Sequence, residues 1–175
     1  TVKQYTPTSK GKQKIVNGYV QAIFKDPEDR MWIATRNGIQ VLNTPDSSFV
    51  DLNTYLKIEG LPEFRNVRMR KIIADSKKNI WICCDNGLYK IDRGTKQVTT
   101  FLNQNNSKSI SDNVVNDIIE RKDGKFWMST VNGLNLYDPA TGSFDHYFND
   151  PTDLNTLSSN MATCLLLDRD DDLWV

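Results

Sequence analysis

The chain has 175 residues with 22 basic and 22 acidic side chains, a formal net charge of zero and a single histidine. No block of Lys and Arg stands out of the kind that neutralises phosphates or an anionic membrane, which argues against nucleic-acid and membrane-surface roles. Apolar runs are a few residues long, as at 164–167, far short of the roughly 20 a membrane span needs, and no secretion signal is visible at the N-terminus.

Trp32, Trp81, Trp127 and Trp174 are 49, 46 and 47 residues apart, and no other Trp occurs. Each is flanked by apolar residues: Met31 and Ile33, Ile80 and Ile82, Phe126 and Met128, Leu173 and Val175. Five and six positions on stand Asn37-Gly38, Asn86-Gly87 and Asn132-Gly133. Asp26, Asp75 and Asp168 lie six residues before the Trp, with Arg121 the exception. A period of about 40–50 residues built from short strands is the signature of a β-propeller blade.

In chain order the register begins with Val2 and Tyr5, which stand before Trp32 as Phe144 and Tyr147 stand before Trp174. Residues 1–9 are therefore expected to form the last strand of a preceding blade. A blade follows over 15–52: an apolar strand at 20–24, a polar turn at 26–30, the Trp strand, then Asn37-Gly38 as a two-residue type I′ turn with positive φ at both positions. A third strand at 39–42, a turn at 44–46 and a fourth strand carrying Phe49 and Leu52 complete it. The connection 53–66 is the longest and holds one plausible turn of helix at 53–61. The second blade covers 67–102, with its first strand at 69–73, and a connection spans 103–113. The third blade covers 114–148, with its first strand at 114–119, and a connection spans 149–160. The half blade 161–175 has its first strand at 161–167. Continuous apolar runs in the Trp strands mark them as covered on both faces, as when one blade is sandwiched between two others. The fold class is thus all-β: an arc of about three and three-quarter four-stranded antiparallel blades from a larger ring. A chain that starts without Met and stops one residue after Trp174 reads as a piece of something longer.

The run 123–138, Asp-Gly-Lys-Phe-Trp-Met-Ser-Thr-Val-Asn-Gly-Leu-Asn-Leu-Tyr-Asp, with lead-ins Ile110-Ser111-Asp112-Asn113 and Leu157-Ser158-Ser159-Asn160, resembles the two-component regulator propeller repeat. The second copy departs from it at Cys83-Cys84, and the first lacks the Leu-Ser lead-in at Val16-Asn17-Gly18. The resemblance implies the periplasmic sensor half of a bacterial hybrid two-component regulator, commonly two seven-bladed propellers. A small β-domain, one membrane span, a histidine kinase core and often a DNA-binding regulator would follow. It further implies a homodimer and, as ligands, mostly oligosaccharides.

Ligand recognition is sought where the copies differ, since a structural need would recur. Beside the Asn-Gly pairs the copies carry Arg36, Asp85 and Val131, and the long connection brings Tyr55, Lys57, Glu59 and Phe64, then Arg65, Asn66 and Arg68. An aromatic face with Arg and Asn donors suits a sugar or an acidic sugar, by stacking and fork-like hydrogen bonds. The candidate ligand residues are Arg36, Tyr55, Phe64, Arg65, Asn66, Arg68 and Asp85; a solvated loop anchored by Leu61 and Phe64 is the plainer alternative.

Other chemistry finds little support. Asp168-Arg169-Asp170-Asp171-Asp172 lacks the Gly and terminal Glu of a calcium loop, and the repeated Asp is expected to accept backbone N–H bonds in its turn. Three cysteines form no C-x-x-C spacing, and Cys83 and Cys84 read as buried stand-ins for small strand residues. His146 has no metal-ligating neighbour in sequence. No cofactor, metal or catalytic residue is expected. A non-catalytic ligand sensor is the leading reading. A propeller enzyme, a lyase or glycoside-cleaving protein, would need a His or paired carboxylates at the channel. A protein-interaction scaffold would need large apolar patches.

Overall fold

Pairing between sequence neighbours organises nearly the whole chain. The computed structural model describes residues 2–43 and 45–175. Thr1 and Thr44, the first residues of the expected 1–9 strand and 44–46 turn, lie outside them. Three four-stranded antiparallel sheets follow one another, each in simple up-and-down order. The first is β1 (Val20–Lys25), β2 (Met31–Thr35), β3 (Gly38–Asn43) and β4 (Ser48–Asp51). A single helical turn, α1 (Leu52–Leu56), comes next, closed by Lys57 in the left-handed region at φ 51°. The second sheet is β5 (Met69–Ala74), β6 (Ile80–Cys84), β7 (Gly87–Asp92) and β8 (Gln97–Phe101). The third is β9 (Val115–Glu120), β10 (Phe126–Thr130), β11 (Gly133–Asp138) and β12 (Ser143–Tyr147), and a short pair, β13 (Leu166–Leu167) and β14 (Leu173–Trp174), begins a fourth. The first strands β1, β5 and β9 lie against one another, so each sheet is a blade with its first strand innermost. The chain is an arc of a β-propeller.

The apolar Trp strands pack as their runs demand: all five residues of β6 are buried. Trp32, Ala34 and Val41 of the first blade face Ile72, Ile80, Ile82 and Ile91 of the second. Trp81, Cys83 and Leu88 of the second face Ile118, Phe126 and Met128 of the third. Trp81 has its ring 4.7 Å from Phe126 and 5.5 Å from Phe101. Where no further blade lies against it the last sheet is bare, and Trp174 is 64% exposed against 0% for Trp32.

The Asp of the first turn does more than close that turn. Asp26 Oδ1 accepts the backbone N–H groups of Glu28 and Arg30, and Oδ2 accepts the indole N–H of Trp32 at 3.0 Å. Asp75 holds Lys77, Asn79 and Trp81 in the same way, and Asp168 holds Asp170, Asp172 and Trp174. Burial opposes the charge on Asp26, yet the Arg30 N–H, the Trp32 indole and the Arg30 guanidinium outweigh it and keep this carboxyl below its ordinary value. In the third blade Arg121 replaces the Asp and lies over the Trp127 ring, 5.9 Å from its centroid.

Three expectations are corrected. The hairpins at Asn-Gly are not type I′, because only the glycines have positive φ (116°, 129° and 97° at Gly38, Gly87 and Gly133). Each glycine is already paired in the ladder, opposite Thr35, Cys84 or Thr130. The Thr35 and Thr130 hydroxyls accept from the Asn37 and Asn132 N–H and donate to the Gly38 and Gly133 carbonyls. That side-chain clamp closes the turn without a left-handed Asn. Residues 2–9 form no strand, since no third strand lies beside them; Tyr5 instead packs its ring edge-on against Phe49 at 5.1 Å. The expected strand 161–167 shortens to Leu166–Leu167, because β14 offers only two residues to pair with.

A Cβ built on Gly133 would sit 2.8 Å from the Tyr147 carbonyl oxygen, in addition to the strain of its φ. Gly133→Ala is expected to destabilise the protein by roughly 1–3 kcal/mol. Gly124→Ala, at φ +82° with nothing within 4 Å, is expected to lose less. Urea unfolding of the two variants checks the order; equal losses would mean that the approach of Tyr147 is not the constraint. A carboxyl with a lowered folded pKa stabilises fully above the roughly 4 of an unfolded Asp, and that contribution drains away as pH falls through the lower folded value. Asp26→Asn should therefore flatten the acid limb of the Tm-against-pH curve, and a curve parallel to wild type would refute the latch.

Candidate functional site

The innermost strand of each four-stranded blade carries one residue too many. In β1, Val20 pairs with Thr35 and Ala22 with Ala34, leaving Gln21 as the extra residue of a bulge. In β5 the extra residue is Arg70, between Met69 and Lys71. In β9 it is Asn116, between Val115 and Asp117. A bulge interrupts the ladder and re-aims a side chain, and bulges recur beside binding sites. All three lie eleven residues before their Trp, as does Thr163 in the fourth copy. Gln21, Arg70, Asn116 and Thr163 line one cleft of about 370 Å³ along the inner strands.

The bulge residues also tie the blades together. Gln21 Oε1 accepts the Met69 N–H at 3.0 Å, and Asn116 Nδ2 donates to the Ala162 carbonyl at 2.6 Å. Arg70 Nε donates to Asp85 Oδ1 at 2.5 Å, linking the cleft floor to the β6–β7 turn. Beside them the Lys71 ammonium meets Asp117 Oδ1 at 2.5 Å, while Asp117 Oδ2 accepts the Leu165 N–H. Asn116 is buried, and its Oδ1 has no hydrogen-bond partner.

A mouth of about 500 Å³ opens onto this floor, lined by Tyr19, Arg36, Asn66, Arg68, Asp85 and Asn86 among others, and it shares Tyr19, Gln21 and Arg68 with the floor cleft. Its backbone is held: the Asn66 N–H donates to the Arg36 carbonyl at 2.8 Å and the Asp85 N–H to the Arg68 carbonyl at 3.0 Å. The Arg36 guanidinium lies 4.9 Å from the Tyr19 ring centroid. Behind the rim, burial pushes the Cys84 thiol up to about 12, with the Asp85 charge adding to it, and holds Cys83 well above its ordinary value. Both thiols stay protonated at neutral pH and offer no nucleophile.

Of the seven residues singled out in the sequence, the fold brings together Arg36, Asn66, Arg68 and Asp85. Arg65 pairs through its backbone with Asn37 and lines a separate shallow cleft with Asp51 and Glu63. Phe64 is no stacking platform: it is 5% exposed and stands edge-on to Tyr89 at 5.3 Å inside the core between the first two blades. Tyr55 is at the other end of the blade, under the Arg30 guanidinium and edge-on to Trp32. Of the connection 53–66 only its end, at Asn66, reaches the mouth. Leu52, Ile58 and Leu61 draw it down into the apolar groove between blades.

Tyr19, Gln21, Arg70, Asn116 and Thr163 escaped the sequence reading, although a signal existed. Eleven residues before each Trp, directly after an apolar or small residue, stands a polar residue that is different in every copy. Tyr19 and Arg68 likewise share the position thirteen before the Trp with Val114 and Met161. His146 lies on the outer strand β12, its Nε2 2.9 Å from the Ser109 carbonyl oxygen and remote from the inner strands.

Residues 14–37 match the family model described as two component regulator propeller. Among solved structures the chain is similar to extracellular domains of two putative hybrid two component systems from B. thetaiotaomicron. The first aligns at TM-score 0.73 and 17% identity over 91% of this chain and 20% of the other, the second at TM-score 0.71 and 22% identity over 90% and 22%. It is also similar to virginiamycin B lyase from Staphylococcus aureus, at TM-score 0.62 and 17% identity over 89% of this chain and 48% of the lyase. Identities this low speak to the fold. The chain spans about a fifth of the length of the two extracellular domains, and no curated protein matches its sequence.

The reassignment of Phe64 separates core from cleft. Phe64→Ala is expected to lose roughly 3–5 kcal/mol of unfolding free energy, as truncating a buried aromatic does. Arg68→Ala, at an exposed position without side-chain partners, should stay within about 0.5 kcal/mol. Chemical denaturation of both variants checks this, and a Phe64→Ala protein as stable as wild type would return Phe64 to the candidate ligand residues.

Proposed function

We propose that this segment belongs to the extracytoplasmic ligand-sensing propeller of a bacterial two-component receptor. The match at 14–37 to the two component regulator propeller and the fold shared with extracellular domains of hybrid two component systems support a signalling sensor. In this reading the ligand is an oligosaccharide or a similar small molecule, the segment lies in the periplasm, and remaining blades complete the ring. Downstream domains of the same chain, working as a homodimer, relay to a histidine kinase.

The observation that carries the reading is the convergence of repeat-variable residues on one cleft. Arg36 and Asp85 come from the β2–β3 and β6–β7 turns, Asn66 and Arg68 from the connection into β5, and the bulges supply Gln21 and Arg70. Scaffold positions recur from copy to copy while these do not, the pattern expected of recognition placed on a rigid frame. Arg68 and Asn66 supply hydrogen-bond donors, and Tyr19 an aromatic face, suited to a sugar. A recognition role fits better than catalysis: the carboxylates beside the inner strands, Asp85 and Asp117, are each engaged by a cation. For signalling the ligand must favour one receptor arrangement over another, since equal affinity for both shifts nothing.

The test is a glycan-binding screen on the full ectodomain, followed by calorimetry on Arg36→Ala and Arg68→Ala. Hydrogen bonds to charged groups contribute about 1.5–3 kcal/mol, so each variant should bind its glycan about tenfold or more weakly. Melting temperature should stay within about a degree or two. Unchanged affinity in both variants would remove the cleft from recognition, and conversion of the glycan to products would favour the enzyme reading.

A further inference from the structure

Charge is distributed unevenly in this neutral chain. The joined floor and mouth hold three guanidiniums, Arg36, Arg68 and Arg70, against one carboxylate, Asp85. That carboxylate is bound to Arg70 at 2.5 Å. Arg36 stacks on Tyr19 without an ion-pair partner, and among the described residues the Arg68 side chain has neither a hydrogen bond nor an ion pair. Two positive charges therefore remain in excess at a concave surface, where low-dielectric walls strengthen a field. The planar fork of Arg matches a carboxylate with two parallel hydrogen bonds. At the floor Asn116 is buried, its amide nitrogen is committed to Ala162 and its Oδ1 is closed off by the surrounding chain, so the free recognition groups of the cleft are the guanidiniums at its mouth.

We propose that the cleft selects a carboxylate-bearing, hydroxylated ligand of the uronate type over its neutral counterpart. The acid meets the Arg68 fork, with Arg36 beside it on the same mouth. The proposal rests on the sensing reading and narrows the class of ligand for the same site. Arg70 stays with Asp85 and joins the floor to the rim.

The experiment titrates the full ectodomain with D-glucuronate and D-glucose, which differ at C6 as acid and alcohol, by ligand-observed NMR into the tens of millimolar. Glucuronate is expected to bind about tenfold tighter, roughly one charge-assisted hydrogen bond's worth, and added NaCl should weaken it while leaving glucose unchanged. Arg68→Gln should erase the preference. Glucose bound as tightly as glucuronate, a preference that survives Arg68→Gln, or no glucuronate binding at all would overturn the proposal. Neutral glycans binding with loss in Arg36→Ala would overturn the acid preference alone and leave the sensing reading intact.

Discussion

A tryptophan buried between two sheets carries an N–H that must find an acceptor where water is excluded. Asp26, Asp75 and Asp168 meet that demand six residues upstream, and the same carboxylates take the backbone N–H groups of their own turns. One side chain thereby couples the turn between first and second strands to the packing of one blade on the next. Loss of the carboxylate would leave an indole N–H and two turn amides unpaired together, which is why the spacing recurs. The third blade shows what happens without it. Arg121 covers the half-buried Trp127 by its guanidinium face and approaches Asp171 of the next turn at 3.8 Å. An interaction within one blade is exchanged for one between blades.

The inner strands share in the blade packing through Met69, Ile72, Val115 and Ile118, but one position in each is released for other work. The bulge adds a residue that no ladder partner requires, so Gln21, Arg70 and Asn116 vary while the residues on either side keep the register. Their chemistry still touches the scaffold, since Gln21 and Asn116 each bond the backbone of the following blade. The cleft lining and the blade-to-blade contacts thus share atoms.

The clamps at the β2–β3 and β10–β11 turns make a related point about economy of means. Thr35 and Thr130 close their hairpins with a hydroxyl, and Asn37 and Asn132 keep an ordinary φ, as Asn86 does beside Cys84. Before the Asn stand Arg36 and Val131, whose backbones are held by Asn66 and Val114 while their side chains differ. The conformational burden falls on the glycine, and at Gly133 the Tyr147 carbonyl also passes too close for a side chain, while at Gly87 the nearest atom is the movable end of Leu102.

What the amino-acid order determined by itself was most of what has a short repeat period: the three full blades, their order of strands, the Asp that closes the first turn and the plainness of Cys83 and Cys84, though not the type of the Asn-Gly turn. These depend on residues within one hairpin of each other, so their pattern is written locally and recurs from copy to copy. Tertiary structure decided which polar residues meet. Arg36 and Arg68 stand 32 positions apart, and Gln21 and Asn116 stand 95 apart, yet they share one joined cleft because the inner strands lie side by side. The path of 53–66 was equally non-local. Phe64 and Leu61 were drawn into an apolar groove built from two different blades, and Tyr55 followed them away from the mouth. A loop goes where it can bury its apolar residues, and that groove exists only once the blades have packed.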